Sequence, residues 1–105
     1  GTIVPSKGVI VVFGGGNPTG TFGNAIIQTA STGSINMNNA GDIVTVKTNA
    51  GTTILTFDIN GLSGNPNEAF TRFQDIYGNF ERYSNIPEAN GAIHTPGRKV
   101  NGTSF

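Results

Sequence analysis

Val44 and Val46 alternate with Thr45 and Lys47, and a few residues later Leu55, Phe57 and Ile59 alternate with Ile54, Thr56 and Asp58. A period of two places successive side chains on opposite faces, the mark of a half-buried strand. Between the two arms, Asn49-Ala50-Gly51 has the chemistry of a three-residue hairpin loop, a type I turn closed by a glycine at positive φ with a G1 bulge. The pattern predicts an antiparallel hairpin over residues 41–59, with Val44, Val46, Leu55 and Phe57 in the core and Gly51 in the turn.

The same reading extends to the flanks. Val9-Ile10-Val11-Val12-Phe13 is an uninterrupted apolar, largely β-branched run too short for a helix, and it is expected to be the most buried strand. Pro5 bars Thr2-Ile3-Val4 from a central-strand position. Ile35 and Met37 alternate inward ahead of the turn signal Asn38-Asn39-Ala40-Gly41, which would make a three-strand meander with the hairpin. Beyond a polar loop over 60–67, Ala69–Phe73 and Phe80–Tyr83 read as short strands joined by a turn over 75–79, and the tail from Thr95 is turn-rich and extended. Arg72, with Phe70, Phe73 and Phe80 as neighbours, is expected to be an anchor half-sunk among aromatic rings and held by carbonyls or a carboxylate. Phe57, Phe70 and Phe80 are assigned to the core rather than to a stacking platform for bases or sugars.

Composition agrees with this reading and adds to it. Glycine, asparagine and threonine supply 42 of the 105 residues, whereas charged residues are 11% of the chain against about 25% in an average domain. Net charge is zero, so the composition is that of a turn-rich β domain and not of a disordered chain. The length suits one domain, and no linker divides it. Apart from Arg98-Lys99, the basic residues Lys7, Lys47, Arg72 and Arg82 are scattered, which leaves no footprint for nucleic acid or an anionic membrane. No apolar run approaches the roughly 20 residues of a spanning helix, and none of these runs has the basic-then-apolar pattern expected of an export signal. Without cysteine there is neither a disulfide framework nor a thiolate site.

Candidate chemistry is sparse. The glycine-rich stretch Gly14–Gly23 follows an apolar strand as a phosphate loop would, but Thr19 stands where a dinucleotide fingerprint needs its third glycine. No lysine occurs between Lys7 and Lys47, and Asn24–Ala30 offers at most two helical turns, so an irregular loop anchored by Phe22 is expected. His94 is the only histidine, so any triad or histidine-metal scheme must use it, and no second imidazole or thiol is available. Asp58, Glu68, Asp75, Glu81 and Glu88 lack the alternating spacing of a calcium loop. No cofactor, metal ligand set or catalytic residue is assigned, and an enzyme is not expected. Asn101-Gly102-Thr103 matches a glycosylation sequon, relevant only in a host that uses it.

Four ordered segments carry a resemblance: Val9–Gly16, Asn39–Gly51, Thr71–Phe80 and Thr95–Gly102. Together they resemble the bacterial branch of the lamin-tail domain. There a V-V-V-F-G-G-G strand and loop, a G-D-x-V-x-L strand with an N-x-x-G turn, a T-R-x-x-D-x-x-G-x-F segment and a closing S/T-P-G-x-x-N/D-G segment follow one another. Phe73, Gln74 and Ile76 stand where that family often has proline or an acidic residue, and Tyr83 stands where it often has histidine. The family's opening strands would precede Gly1, so the chain is similar to the later two-thirds of such a domain.

The resemblance implies an all-β, immunoglobulin-like sandwich of lamin-tail type over 1–105, its missing strands lying on another chain, on a further copy, or elsewhere in a longer polypeptide. It also implies a non-catalytic structural or interaction module of a secreted or cell-surface bacterial protein, with protein partners, no nucleic acid and no membrane insertion. The structural residues are then Val44, Val46, Gly51, Leu55, Phe57, Arg72 and Phe80. Two alternatives accompany this expectation: a self-assembling extracellular filament subunit built by strand complementation, and a calcium- or carbohydrate-binding accessory domain.

Overall fold

The computed structural model describes residues 1–38, 40–60, 64, 66–74 and 76–105. The expectations for Asn39, for Asp75 and for residues 61–63 and 65 of the polar loop lie outside the described residues. The chain forms six strands, β1 (Ile10–Phe13), β2 (Ile26–Thr29), β3 (Ile43–Lys47), β4 (Thr53–Asp58), β5 (Phe70–Phe73) and β6 (Asn79–Arg82). Short 3₁₀ turns follow at Tyr83–Asn85 and Pro87–Ala89. The described secondary structure is thus strand in small sheets with almost no helix, as expected of an all-β chain. No helix among the described residues is long and apolar enough to cross a membrane. The chain divides into two compact units, residues 37–67 and residues 2–36 with 68–105.

The first unit is the hairpin β3–β4. Val44 faces Phe57 and Val46 faces Leu55 in an antiparallel ladder, so the four apolar residues share one face. The turn closes as its chemistry predicts: Thr48 N donates to Thr52 O at 2.8 Å, Gly51 N donates to Thr48 O at 3.0 Å, and Gly51 has φ +87°. One feature was not anticipated. The register shifts between Val46 and Lys47, leaving Ile54 as the extra residue of a second bulge. The expected core position of the hairpin is corrected: Val44 and Val46 are 37% and 45% exposed, and Leu55 and Phe57 are only half-buried. Ile35 and Met37 lie in no strand, so the described sheet is a two-stranded ribbon and not a three-strand meander.

In the second unit β1 and β2 run parallel, Ile10 opposite Ile26 through Phe13 opposite Thr29. Asn24–Ala30, too short for more than two helical turns, contributes the strand β2. A parallel pair needs a long crossover, and the glycine-rich run supplies it as an irregular loop held by Phe22, whose ring meets Phe13 edge-on at 5.1 Å. β1 is not the most buried strand, since Val12 is 50% exposed and the other three residues are half-buried.

The buried cluster lies elsewhere, in Tyr83, Ile86, Ala89 and Val100, with Ala69, Phe73 and Ala92 packed against it. Tyr83, Ile86 and Ala89 recur every third residue along the two 3₁₀ turns, a spacing that stacks side chains on one side of a three-residue-per-turn coil. Pro87 opens the second turn, where its missing N–H costs nothing.

Candidate functional site

A set of polar and aromatic side chains is built on the hairpin β5–β6 and the segment that follows it. The register sets Phe70 opposite Arg82, Thr71 opposite Glu81, Arg72 opposite Phe80 and Phe73 opposite Asn79. Arg72 is half-buried. Its guanidinium carbon stands 5.3 Å from the centre of the Phe80 ring, and its Nε donates to the Gly78 carbonyl at 2.9 Å. A planar, permanently charged group is thereby held by a π face on one side and a turn carbonyl on its edge.

Glu68 ties the entry of this hairpin to the chain after its exit. The Ser84 backbone N–H donates to one carboxylate oxygen at 2.6 Å and the Ser84 hydroxyl donates to the other at 2.9 Å. The ladder is extended by Tyr83 N donating to Ala69 O, and Ala69 N donates to Ile93 O at 2.8 Å, bringing the segment around His94 alongside. The hydroxyls of Tyr83 and Thr95 share a hydrogen bond, which satisfies the polar tip of a ring only 5% exposed.

These contacts frame an open cavity of about 500 Å³ whose walls include Phe70, Thr71, Tyr83, His94, Thr95 and Arg98. Its volume is within the range of small-molecule sites. His94 is exposed on its wall and has no side-chain hydrogen-bond partner among the described residues, and the neighbouring Thr95 hydroxyl is engaged with Tyr83. Nucleophilic catalysis requires a base held against the nucleophile and itself oriented by a third group, and no such relay is assembled among the described residues. Nor do the described histidine, aspartate and glutamate side chains gather in any group of three that could hold a metal ion.

The residues singled out from the sequence fall into three cross-strand pairs, Val44 with Phe57, Val46 with Leu55 and Arg72 with Phe80, and a turn glycine, Gly51. Sequence reasoning did not find Tyr83, Thr95 and Glu68. Two signals for them were present: apolar residues three apart from Tyr83 to Ala89, with Pro87 punctuating the run, and a glutamate two residues before β5. No family model, curated protein or solved structure matches the chain.

Proposed function

We propose that the chain is a non-catalytic structural and protein-interaction module, an immunoglobulin-like sandwich of lamin-tail type completed by strands from another polypeptide and displayed on a secreted or surface protein. The supporting observation is that each described strand has one hydrogen-bonded neighbour, so that the sheets are three separate two-stranded pairs. A two-stranded pair is marginal in water, and three or more strands with a covered face are needed for independent stability. A strand with a single strand neighbour can template the addition of a further strand. The hairpin β3–β4 adds an apolar face, Val44 and Val46 with Leu55 and Phe57, suited to cover by a second layer. Where the completing strand belongs to the next copy, the contact is heterologous and propagates as a filament.

Sedimentation velocity over a wide concentration range, combined with amide hydrogen exchange, tests this reading. Association that slows exchange at the outward-facing amides of β3 or β4 supports completion by copies. A monomer in which these amides exchange fast supports completion by a different chain. A monomer already slow-exchanging along all six strands would overturn the proposal, because such a fold would need no further strand.

A further inference from the structure

Three of the six basic residues of this chain, Arg72, Arg98 and Lys99, line one cleft of about 190 Å³ beside β5. Thr71 supplies a hydroxyl to the same wall, Val100 an apolar floor that is 7% exposed, and no acidic side chain is among its described lining. Glu81 pairs with Thr71 across the ladder but does not line the cleft. In a chain with no net charge, gathering half the cations beside an apolar floor costs mutual repulsion and partial desolvation. All three side chains are half-buried, and none makes an ion pair among the described residues.

The two guanidiniums are also held in place, and so is the backbone that carries Lys99. Arg72 is fixed by Phe80 and the Gly78 carbonyl, which occupy one face and Nε and leave its terminal nitrogens to donate elsewhere. Arg98 Nη1 donates to Gly102 O at 3.3 Å. The backbone of Lys99 is locked into a tight turn, Lys99 N donating to Thr103 O and Gly102 N to Lys99 O, each at 2.8 Å. Donors fixed before a ligand arrives lose little entropy on binding it, and two guanidinium forks with an ammonium match the oxygens of a carboxylate, sulfate or phosphate group.

We propose that this cleft is a binding site for an oxyanion, the acidic group of a small ligand. The site is independent of any strand-completing partner. Its test is an NMR titration of the whole chain with sodium acetate, sulfate and phosphate in turn, each against sodium chloride at equal ionic strength, read at the arginine Nε–H signals and the backbone amides. The expected result is saturable movement of the Arg72 and Arg98 Nε–H signals and the Lys99 and Val100 amides with at least one oxyanion and none with chloride. Acetate alone would identify a planar carboxylate site; sulfate or phosphate would identify a tetrahedral one. Lys99→Gln and Arg98→Gln should each weaken binding about tenfold, as expected for loss of one charge-assisted contact, while Lys99→Arg retains it. Shifts that track ionic strength, that chloride reproduces, or that both glutamine variants leave unchanged would overturn the proposal.

Discussion

Gly23 and Gly97 meet backbone to backbone. A Cβ on Gly23 would lie 2.6 Å from the Gly97 carbonyl oxygen, and a Cβ on Gly97 would overlap the carbonyl group of Phe22. Both residues also have left-handed φ, +61° and +75°. The contact joins the loop that holds Phe22 to the turn after Pro96, two segments distant in sequence and within one compact unit.

Gly97→Ala must therefore accept both backbone strain and steric overlap. It should lower the unfolding free energy by about 3 kcal/mol. Gly102 has φ +84° with nothing near an added Cβ, so Gly102→Ala carries the strain alone and should cost about 1 kcal/mol. Urea denaturation of the two variants separates the terms, and equal losses would show that the close approach contributes nothing.

The Arg72–Phe80 pair predicts a coupling. Arg72→Lys keeps the charge but loses the planar stack and the directed Nε–H, and should destabilise by about 1–2 kcal/mol. Phe80→Leu keeps the apolar bulk. A double-mutant cycle between them should return about 0.5–1 kcal/mol of interaction energy, and a value near zero would mark the stacking as incidental.

Burial orders the isoleucines. Ile86 is 3% exposed within the main cluster, whereas Ile54 is 67% exposed at the bulge. Ile86→Ala should cost about 3 kcal/mol by opening a cavity, and Ile54→Ala should stay within about 0.5 kcal/mol. Thermal or chemical unfolding monitored by circular dichroism gives both values.

The apolar face of β3–β4 predicts a separation of stability from association. Replacing Val44 and Val46 together by threonine keeps β-branching on half-exposed positions and should change the stability of the isolated chain by less than about 1 kcal/mol. Self-association or partner capture should weaken at least tenfold, by about 1.4 kcal/mol or more, measured by sedimentation or calorimetry. Unchanged association would remove this face from the interface.

Local pattern revealed the hairpins, and non-local pairing hid the rest. Alternation at Val44 to Phe57 and the glycine of the turn determine register over a few residues, so both could be read directly. The bulge at Ile54 could not, because one extra residue leaves the composition of the arm unchanged. Ile26 and Ile27 form too short a pair to carry a period, and their strand exists only through its parallel partner β1, a dozen residues upstream. The core escaped notice because Tyr83, Ile86 and Ala89 follow a period of three, between the two periods by which strands and α-helices are recognised. The Arg72 neighbourhood was legible from its aromatic neighbours, while the Tyr83–Thr95 and Glu68–Ser84 bonds join residues whose proximity only the fold creates.

The division of the chain has a consequence for its synthesis. The unit that holds Gly23 and Gly97 is interrupted: residues 2–36 leave the ribosome first, and their partners from 68 onward follow only after the whole β3–β4 unit has been made. At roughly 5–20 residues per second the early segment waits several seconds for the turn that closes against Gly23, while both arms and the loop of the β3–β4 hairpin emerge together. The nascent chain is predicted to pass through a state in which Gly23 still lacks its backbone neighbour Gly97. In ribosome-stalled chains ending before Gly97, limited proteolysis should cut the Phe22–Gly23 loop quickly, and cutting should slow once Gly97 and the turn after it have emerged.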